Sequence, residues 1–227
     1  MKDQPDAPRD LVPRSTPVET GLDVAAVVTS VVPWLGGPVS AVLSGVSFGR
    51  KIDRVREVLG ELATSLEGLE AEVSQEYVRT DDFEDLLERT LRLVADERSA
   101  QKWWIYAQFL AGAVESPGEP YDEQLRFLRT LEEMQPDHLR ILRALNAPPE
   151  GGDGLTGSPE QTLVNRLPDM DVSRIDNLVA QLNDMRVTNL TSLKAMMTFR
   201  GSQELRGRIT AYGQRFVGYL TEGDTPV

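Results

Sequence analysis

The chain contains no cysteine and only one histidine, His138, among its 227 residues. The absence of cysteine excludes disulfide bonds, thiolate nucleophiles and cysteine-ligated metal sites. A single histidine allows no Cys–His pair and leaves too few ligands for most zinc sites. We therefore expect no metal and no other cofactor. The lack of cysteine suits a reducing cytoplasm, which is where we expect the protein to reside.

Complete motifs for catalysis or phosphate binding are also missing. Gly152 and Gly157 have the spacing of a phosphate loop, but Ser158 stands where such a loop has its lysine. Asp169 begins a run that resembles a calcium loop, but Arg174 stands where that loop requires glycine. Acidic pairs along the chain are most simply solvated turns of helices. We therefore interpret the chain as non-enzymatic.

Basic residues are too few to balance the acidic ones. The chain has 24 Lys and Arg against 36 Asp and Glu, a net charge of -12. The excess lies in residues 1–157, because residues 158–227 carry eight of each sign. A surface this acidic repels nucleic acid and anionic lipid on average. The tail nevertheless has a basic group that we consider candidate contacts for nucleic acid or a partner: Arg186, Lys194, Arg200, Arg206, Arg208 and Arg215.

One long stretch lacks charge altogether, from residue 24 to residue 49. Prolines and glycines interrupt it at residues 33–38, so each half is too short to cross a bilayer as one straight helix. We predict a helical hairpin. Its candidate packing face consists of small residues at every fourth position, which let helices approach closely: Gly37, Ala41, Gly45 and Gly49. Two interpretations are open: a hairpin buried in a helical bundle, which we favour, and a hairpin that enters a bilayer.

A heptad pattern follows the uncharged stretch. Its apolar residues alternate in steps of three and four: Ile52, Val55, Leu59, Leu62, Leu66, Leu69 and Val73. This spacing is typical of a coiled-coil-like helix, and Pro38 is a suitable first residue for it. The pattern predicts a seam that packs either inside the chain's own bundle or between two copies in a homodimer.

The composition divides the chain into four parts. Residues 1–21 are rich in proline and charge and are predicted to be a flexible arm. Residues 22–146 show helical periodicity and predict a helical bundle domain. Residues 147–158, with the sequence APPEGGDGLTGS, are typical of a linker. Residues 159–223 form a separate small module, whose first helix is marked by a capping serine and a proline at Ser158-Pro159.

The tail predicts a helix from Ser173 to Arg186, short strands over Leu193–Phe199 and Gly207–Thr210 around a turn, and a last helix. With this order, NLVAQLNDMRVTN followed by RGRITAYGQRFVGYL resembles a winged-helix module. The resemblance implies that residues 173–186 would be the recognition helix and that the basic residues near 206–208 would belong to the wing. We therefore expect a mainly α protein: a helical bundle with an N-terminal apolar hairpin and a long heptad helix, followed by a small winged-helix-like α+β module.

The segment FLRTLEEMQPDHLRILRAL, with the glycine–proline break and the heptad helix, is similar to bacterial helical proteins of prophage and abortive-infection type. The resemblance implies an interaction, adaptor or regulatory protein of a bacterium or prophage, in phage defence, with a protein partner. One alternative is a DNA-binding transcriptional regulator, although Asp176 and Asp184 offset Arg174 and Arg186 on the recognition helix. A second alternative is a membrane-active effector that uses the hairpin 24–49.

Overall fold

The computed structural model describes residues 49–67, 75–149 and 156–221. The chain is mainly helical, with one small antiparallel sheet of two strands. The predicted hairpin at residues 24–48 lies outside the described residues, as do Leu69 and Val73 of the heptad pattern. Of the proposed small-residue face, Gly49 alone lies inside them, where it is the first described residue of a helix.

Before the predicted linker, the described residues form six helices, and apolar periodicity explains most of them. The helices are α1 (Gly49–Glu67), α2 (Gln75–Val78), α3 (Asp81–Asp96), α4 (Ala100–Glu115), α5 (Tyr121–Glu133) and α6 (Pro136–Asn146). Thr80 caps α3, because its side chain accepts a hydrogen bond from the Phe83 amide. Helix α4 is buried on all sides from Ile105 to Val114, which makes it the central helix of the group.

From residue 156 to residue 221, the described residues form four helices and two strands. They are β1 (Thr156–Gly157), α7 (Pro159–Arg166), α8 (Val172–Asp184), β2 (Met197–Thr198), α9 (Phe199–Gln203) and α10 (Ala211–Thr221), with a 3-10 turn at Arg206–Arg208 before α10. The predicted start of α7 is confirmed, because the Gln161 amide donates to the Ser158 hydroxyl at 3.2 Å and Pro159 is the first helical residue. Helix α8 begins at Val172, with Asp171 rather than Ser173 as its N-cap residue.

The strand predictions for the tail are corrected. The predicted strand over Leu193–Phe199 is reduced to β2, which pairs with β1 and not with residues 207–210. Thr198 ends β2 because its hydroxyl accepts the Gly201 amide at 3.2 Å and starts helix α9. The second predicted strand, Gly207–Thr210, is replaced by the 3-10 turn and one bridge between Ile209 and Thr188. Thr156 and Gly157, which composition placed in the linker, form β1.

One cluster of buried apolar side chains extends from α1 to α10. Helix α1 packs against α3 and α4, and α10 packs against α4 from the other end of the chain. Phe127 of α5 lies 5.9 Å from Phe216 and 5.0 Å from Tyr219 of α10, measured between ring centroids. The last helix thus completes the core of the first half. The division into domains at residues 147–158 stays a prediction.

Candidate functional site

Three of the six predicted basic contact residues are compensated by carboxylates. Arg200 of α9 pairs at 2.8 Å with Glu204, the residue that caps the end of this short helix. Arg215 of α10 lies 3.1 Å from Glu119 and 3.0 Å from Glu123, at the start of α5. Lys194 lies 3.7 Å from Glu160 and 4.0 Å from Asp176. Each of these three cations therefore has a carboxylate within ion-pair distance.

Arg186, Arg206 and Arg208 remain as exposed cations, and we call them the basic strip. Two hydrogen bonds bring their segments side by side: the Asn189 amide donates to the Arg208 carbonyl at 2.8 Å, and the Thr210 hydroxyl donates to the Arg186 carbonyl at 2.7 Å. Within the described ranges, no carboxylate lies in ion-pair distance of these three side chains. The strip is therefore the part of the predicted basic group that is free to bind an anion.

Arg186 has an unusual backbone conformation for a residue with a side chain. Its φ angle is 60°, in the left-handed region that favours glycine. It follows the C-cap residue Met185, a position where glycine commonly ends a helix. The Val187 amide then bonds back to the Leu182 carbonyl at 3.0 Å, which closes the end of α8. A strained arginine at a glycine position is consistent with a functional demand on its side chain.

A second feature of the tail is a groove beside α8, which we call the α8 groove. Its volume is about 320 Å³, and it lies between Asp176, Val179, Ala180 and Asn183 of α8 and the loop of residues 190–194. The buried side chains of Val179, Leu190 and Leu193 form its apolar part. Asp176 and Lys194 provide charge at its edge.

Asn183 fixes the shape of the α8 groove. Its amide nitrogen donates to the Leu190 carbonyl at 2.9 Å, and its amide oxygen accepts the Leu190 amide at 3.0 Å and the Thr188 hydroxyl at 2.7 Å. On the opposite side, the Glu160 amide donates to the Leu193 carbonyl at 2.9 Å. The loop wall is thus held at both ends, so a ligand would meet a preformed surface. Periodicity could not show this groove, because its wall is a loop without a repeating pattern.

Two large apolar side chains are exposed in the part of the chain that the structure describes, and both belong to this region. Val172 is the first residue of α8 and is 41% exposed, and Met196 follows the loop wall of the groove and is 71% exposed. Methionine is enriched in protein–protein interfaces, where its flexible side chain adapts to a partner. Asn177, Ala180 and Asp184 of α8 are exposed as well.

Four of the seven residues of the predicted oligomer seam are buried inside this chain. Ile52, Val55, Leu59 and Leu62 are each at most 1% exposed, because α1 packs against α3 and α4. The side chains of Leu66, Leu69 and Val73 lie outside the described part. A homodimer through the four buried residues would require α1 to leave its own bundle. Homodimerisation stays a prediction.

Comparisons with models of protein families, with curated proteins and with solved structures gave no match to this chain. Within residues 49–67, 75–149 and 156–221, no helix is both long enough and apolar enough to cross a bilayer. The same residues contain no group of three or more His, Asp or Glu side chains placed to hold a metal ion. The α8 groove and the basic strip are therefore the features of the molecule that bear on its function.

Proposed function

We propose that this chain is a non-enzymatic interaction protein that binds a protein partner through the α8 groove. The observation that carries the proposal is the preformed groove, with an apolar part and a charged edge. Two exposed apolar residues, Val172 and Met196, are close in sequence to its two walls. Rigid surfaces of this kind lose little conformational entropy when they bind. The adaptor or regulatory role, and an origin in a bacterium or prophage with a part in phage defence, rest on the sequence resemblance alone.

The charges around the groove indicate the chemistry of the partner. Asp176 and Asp184 lie on the exposed side of α8, and Lys194 is partly neutralised by Asp176 and Glu160. Such an edge fits a segment that presents an apolar side chain flanked by basic residues. The same carboxylates oppose the use of α8 as a DNA-reading helix, because they would face phosphates in the major groove.

Affinity capture with a matched pair of variants tests this proposal. Ala180→Arg places a long cation in the groove, whereas Ala100→Arg makes the same change at the exposed first residue of α4. With tagged chain and lysate of the cells that naturally make it, we expect a protein captured by the wild type and by Ala100→Arg but lost with Ala180→Arg. Equal capture by both variants would contradict the use of this groove.

The winged-helix resemblance supports a second candidate, a DNA-binding regulator. Two helices, an isolated β-bridge between Thr188 and Ile209, and a final helix occur in the order that such a module has. The 3-10 turn takes the place of one predicted wing strand. The specific observation in favour of DNA is the basic strip, with its strained Arg186. Binding through three exposed arginines would be weak, strongly dependent on salt and insensitive to sequence, because arginine contacts to phosphate carry no sequence information.

A DNA mobility-shift assay at several salt concentrations tests this second candidate. Arg206→Glu combined with Arg208→Glu should abolish binding, because it reverses two of the three charges of the strip. Arg79→Glu combined with Arg98→Glu gives the same change in net charge at two other exposed positions and should weaken binding much less. If both pairs have equal effects, the basic strip is not a DNA contact and only the average charge matters.

A further inference from the structure

The only histidine of the chain lies at the contact between α6 and α8. His138 is the third residue of α6, and its side chain is fully buried. Its Nδ1 accepts the Gln135 backbone amide at 2.8 Å, and its Nε2 lies 2.8 Å from Oε1 of Gln181 on α8. The ring therefore connects the start of one helix to the last turn of another, and both of its nitrogen atoms are used.

These two hydrogen bonds specify the protonation state of the ring. A backbone amide can only donate, so Nδ1 must be an acceptor without a proton. Oε1 of Gln181 can only accept, so Nε2 must carry the proton and donate. The arrangement requires the neutral Nε2–H tautomer. Protonation of Nδ1 would set two donors against each other at 2.8 Å and break the bond to Gln135.

The charged groups around the ring come from both helices. Burial lowers the pKa of His138 most strongly, and Arg174 of α8 lowers it further, whereas the bond to Gln181 and the charge of Asp137 raise it. Arg174 also bonds to Gln135 and lies 3.2 Å from Asp137. Arg140, one turn further along α6, binds both carboxylate oxygens of Asp169.

The other elements that touch α6 carry their charges away from His138. One of them is the 3-10 turn, whose Arg206 lies beside Asn146 and Ala147 at the far end of α6. Arg166 of α7 donates to the Ala144 carbonyl at the opposite end of α6. Glu132 and Glu133, at the end of α5, are exposed. His138 is thus the one side chain at the α6–α8 contact whose ordinary titration range lies near neutral pH.

We propose that His138 makes the contact between α6 and α8 sensitive to acid, so that protonation of its ring favours local opening of α8, and of the groove beside it, away from α6. Helix α10 remains in place, because its aromatic residues pack against α5 independently of this contact. Mild acidification would therefore loosen the partner-binding region and leave the bundle intact. The proposal concerns the α6–α8 contact and holds whichever partner the groove takes.

The sign of the effect follows from the lowered pKa. A released imidazole takes up a proton near its ordinary value of 6.5, whereas the buried ring resists protonation until lower pH. The contact is therefore fully stabilised above pH 6.5 and weakens as the pH falls from there towards the pKa of the buried ring. At pH 5.5 about ten released rings are protonated for each neutral one. The equilibrium constant for opening therefore rises by a factor of up to about ten relative to neutral pH.

NMR of the full chain with ¹⁵N-labelled histidine tests the first step directly, because one histidine gives one set of ring signals. At pH 7.5 we expect the Nε2–H tautomer, and on titration a pKa below 6.5. This measurement needs no variant. A Nδ1–H tautomer, or a pKa at or above 6.5, would overturn the proposal.

Hydrogen exchange tests the second step. Between pH 7.5 and pH 5.5, the protection factors of the α8 amides should fall by up to about tenfold, while those of α3 stay constant. His138→Gln is the matched variant, because glutamine can accept from the Gln135 amide and donate to Gln181 without titrating. It should make α8 protection independent of pH over this range. An equal fall in α3, no fall in the wild type, or an unchanged pH response in His138→Gln would each contradict the acid-sensitive contact.

Discussion

At the scale of single residues, glycine is required at two positions where the backbones of neighbouring elements approach closely. A methyl group on Gly112 of α4 would lie 2.3 Å from the carbonyl oxygen of Tyr219 on α10. A methyl group on Gly213 would lie 2.1 Å from the carbonyl oxygen of Val187, next to the strained Arg186. Real side chains do not tolerate such distances, and in both cases backbone would have to move. Both glycines thus let α10 pack closely against its neighbours.

Gly112→Ala should destabilise the protein by about 1–3 kcal/mol or more, because α4 and α10 would have to separate. Gly218→Ala, on the partner helix α10, is the control, since nothing lies within 4 Å of its added methyl group. The control should be neutral or more stable by up to about 1 kcal/mol, as expected for alanine in a helix. Urea unfolding of both variants measures the difference. Equal stabilities would mean that α10 does not pack at this distance.

Arg186→Gly should raise the free energy of unfolding by about 1 kcal/mol, because glycine adopts a φ of 60° without strain. The same change should weaken any binding of anions to the basic strip. Thermal melting and the DNA shift assay together measure both effects. A less stable variant would show that the arginine side chain contributes to folding, and the argument for a functional strain would then fail.

Sequence could indicate which single residues are charged but not which charges meet. The pair of Arg215 with Glu119 spans 96 positions along the chain, and the pair of Arg140 with Asp169 spans 29. Such partners depend on how helices pack, which local patterns do not encode. For the same reason the sequence could place His138 at the start of a helix but could not show its bond to Gln181.

At the scale of elements, helices were predicted well because their apolar residues repeat with the period of a buried face. Helix α5 shows this, with Phe127, Leu128 and Leu131 buried. The strands were predicted poorly, because β1 and β2 have two residues each and depend on pairing across 40 positions of sequence. The α8 groove was not foreseen for a related reason, since hydrogen bonds from one side chain, Asn183, shape its loop wall.

The heptad helix gives a prediction at this scale. Leu62→Lys should unfold the protein, because Leu62 is fully buried in α1 and an unpaired buried charge is a large penalty beside a total stability of about 5–15 kcal/mol. Glu61→Lys, at the exposed neighbouring position, should leave the fold unchanged. Circular dichroism and sedimentation measure folding and mass. If the wild type is a dimer and the Leu62→Lys variant is a folded monomer, the seam instead joins two copies.

At the scale of the whole molecule, charge and apolar surface are distributed unevenly. The net charge of -12 belongs to residues 1–157, whereas the exposed apolar residues Val172 and Met196 lie in the neutral tail. The first half supplies most of the core, and α10 attaches the tail to it through aromatic contacts. In the proposed function, a partner would bind the α8 groove in the tail while the helices of the first half keep their packing.

The measurement that tests the central claim most directly is photo-crosslinking from a single position in the α8 region. A photoreactive amino acid at Asn177, on the exposed face of α8, would be compared with one at Gln101, an exposed position of α4. In the cells that naturally make the chain, we expect a discrete protein adduct from position 177, none from position 101, and loss of the adduct when Ala180→Arg is added. The absence of a protein adduct at position 177, or one that persists with Ala180→Arg, would contradict binding through the α8 groove.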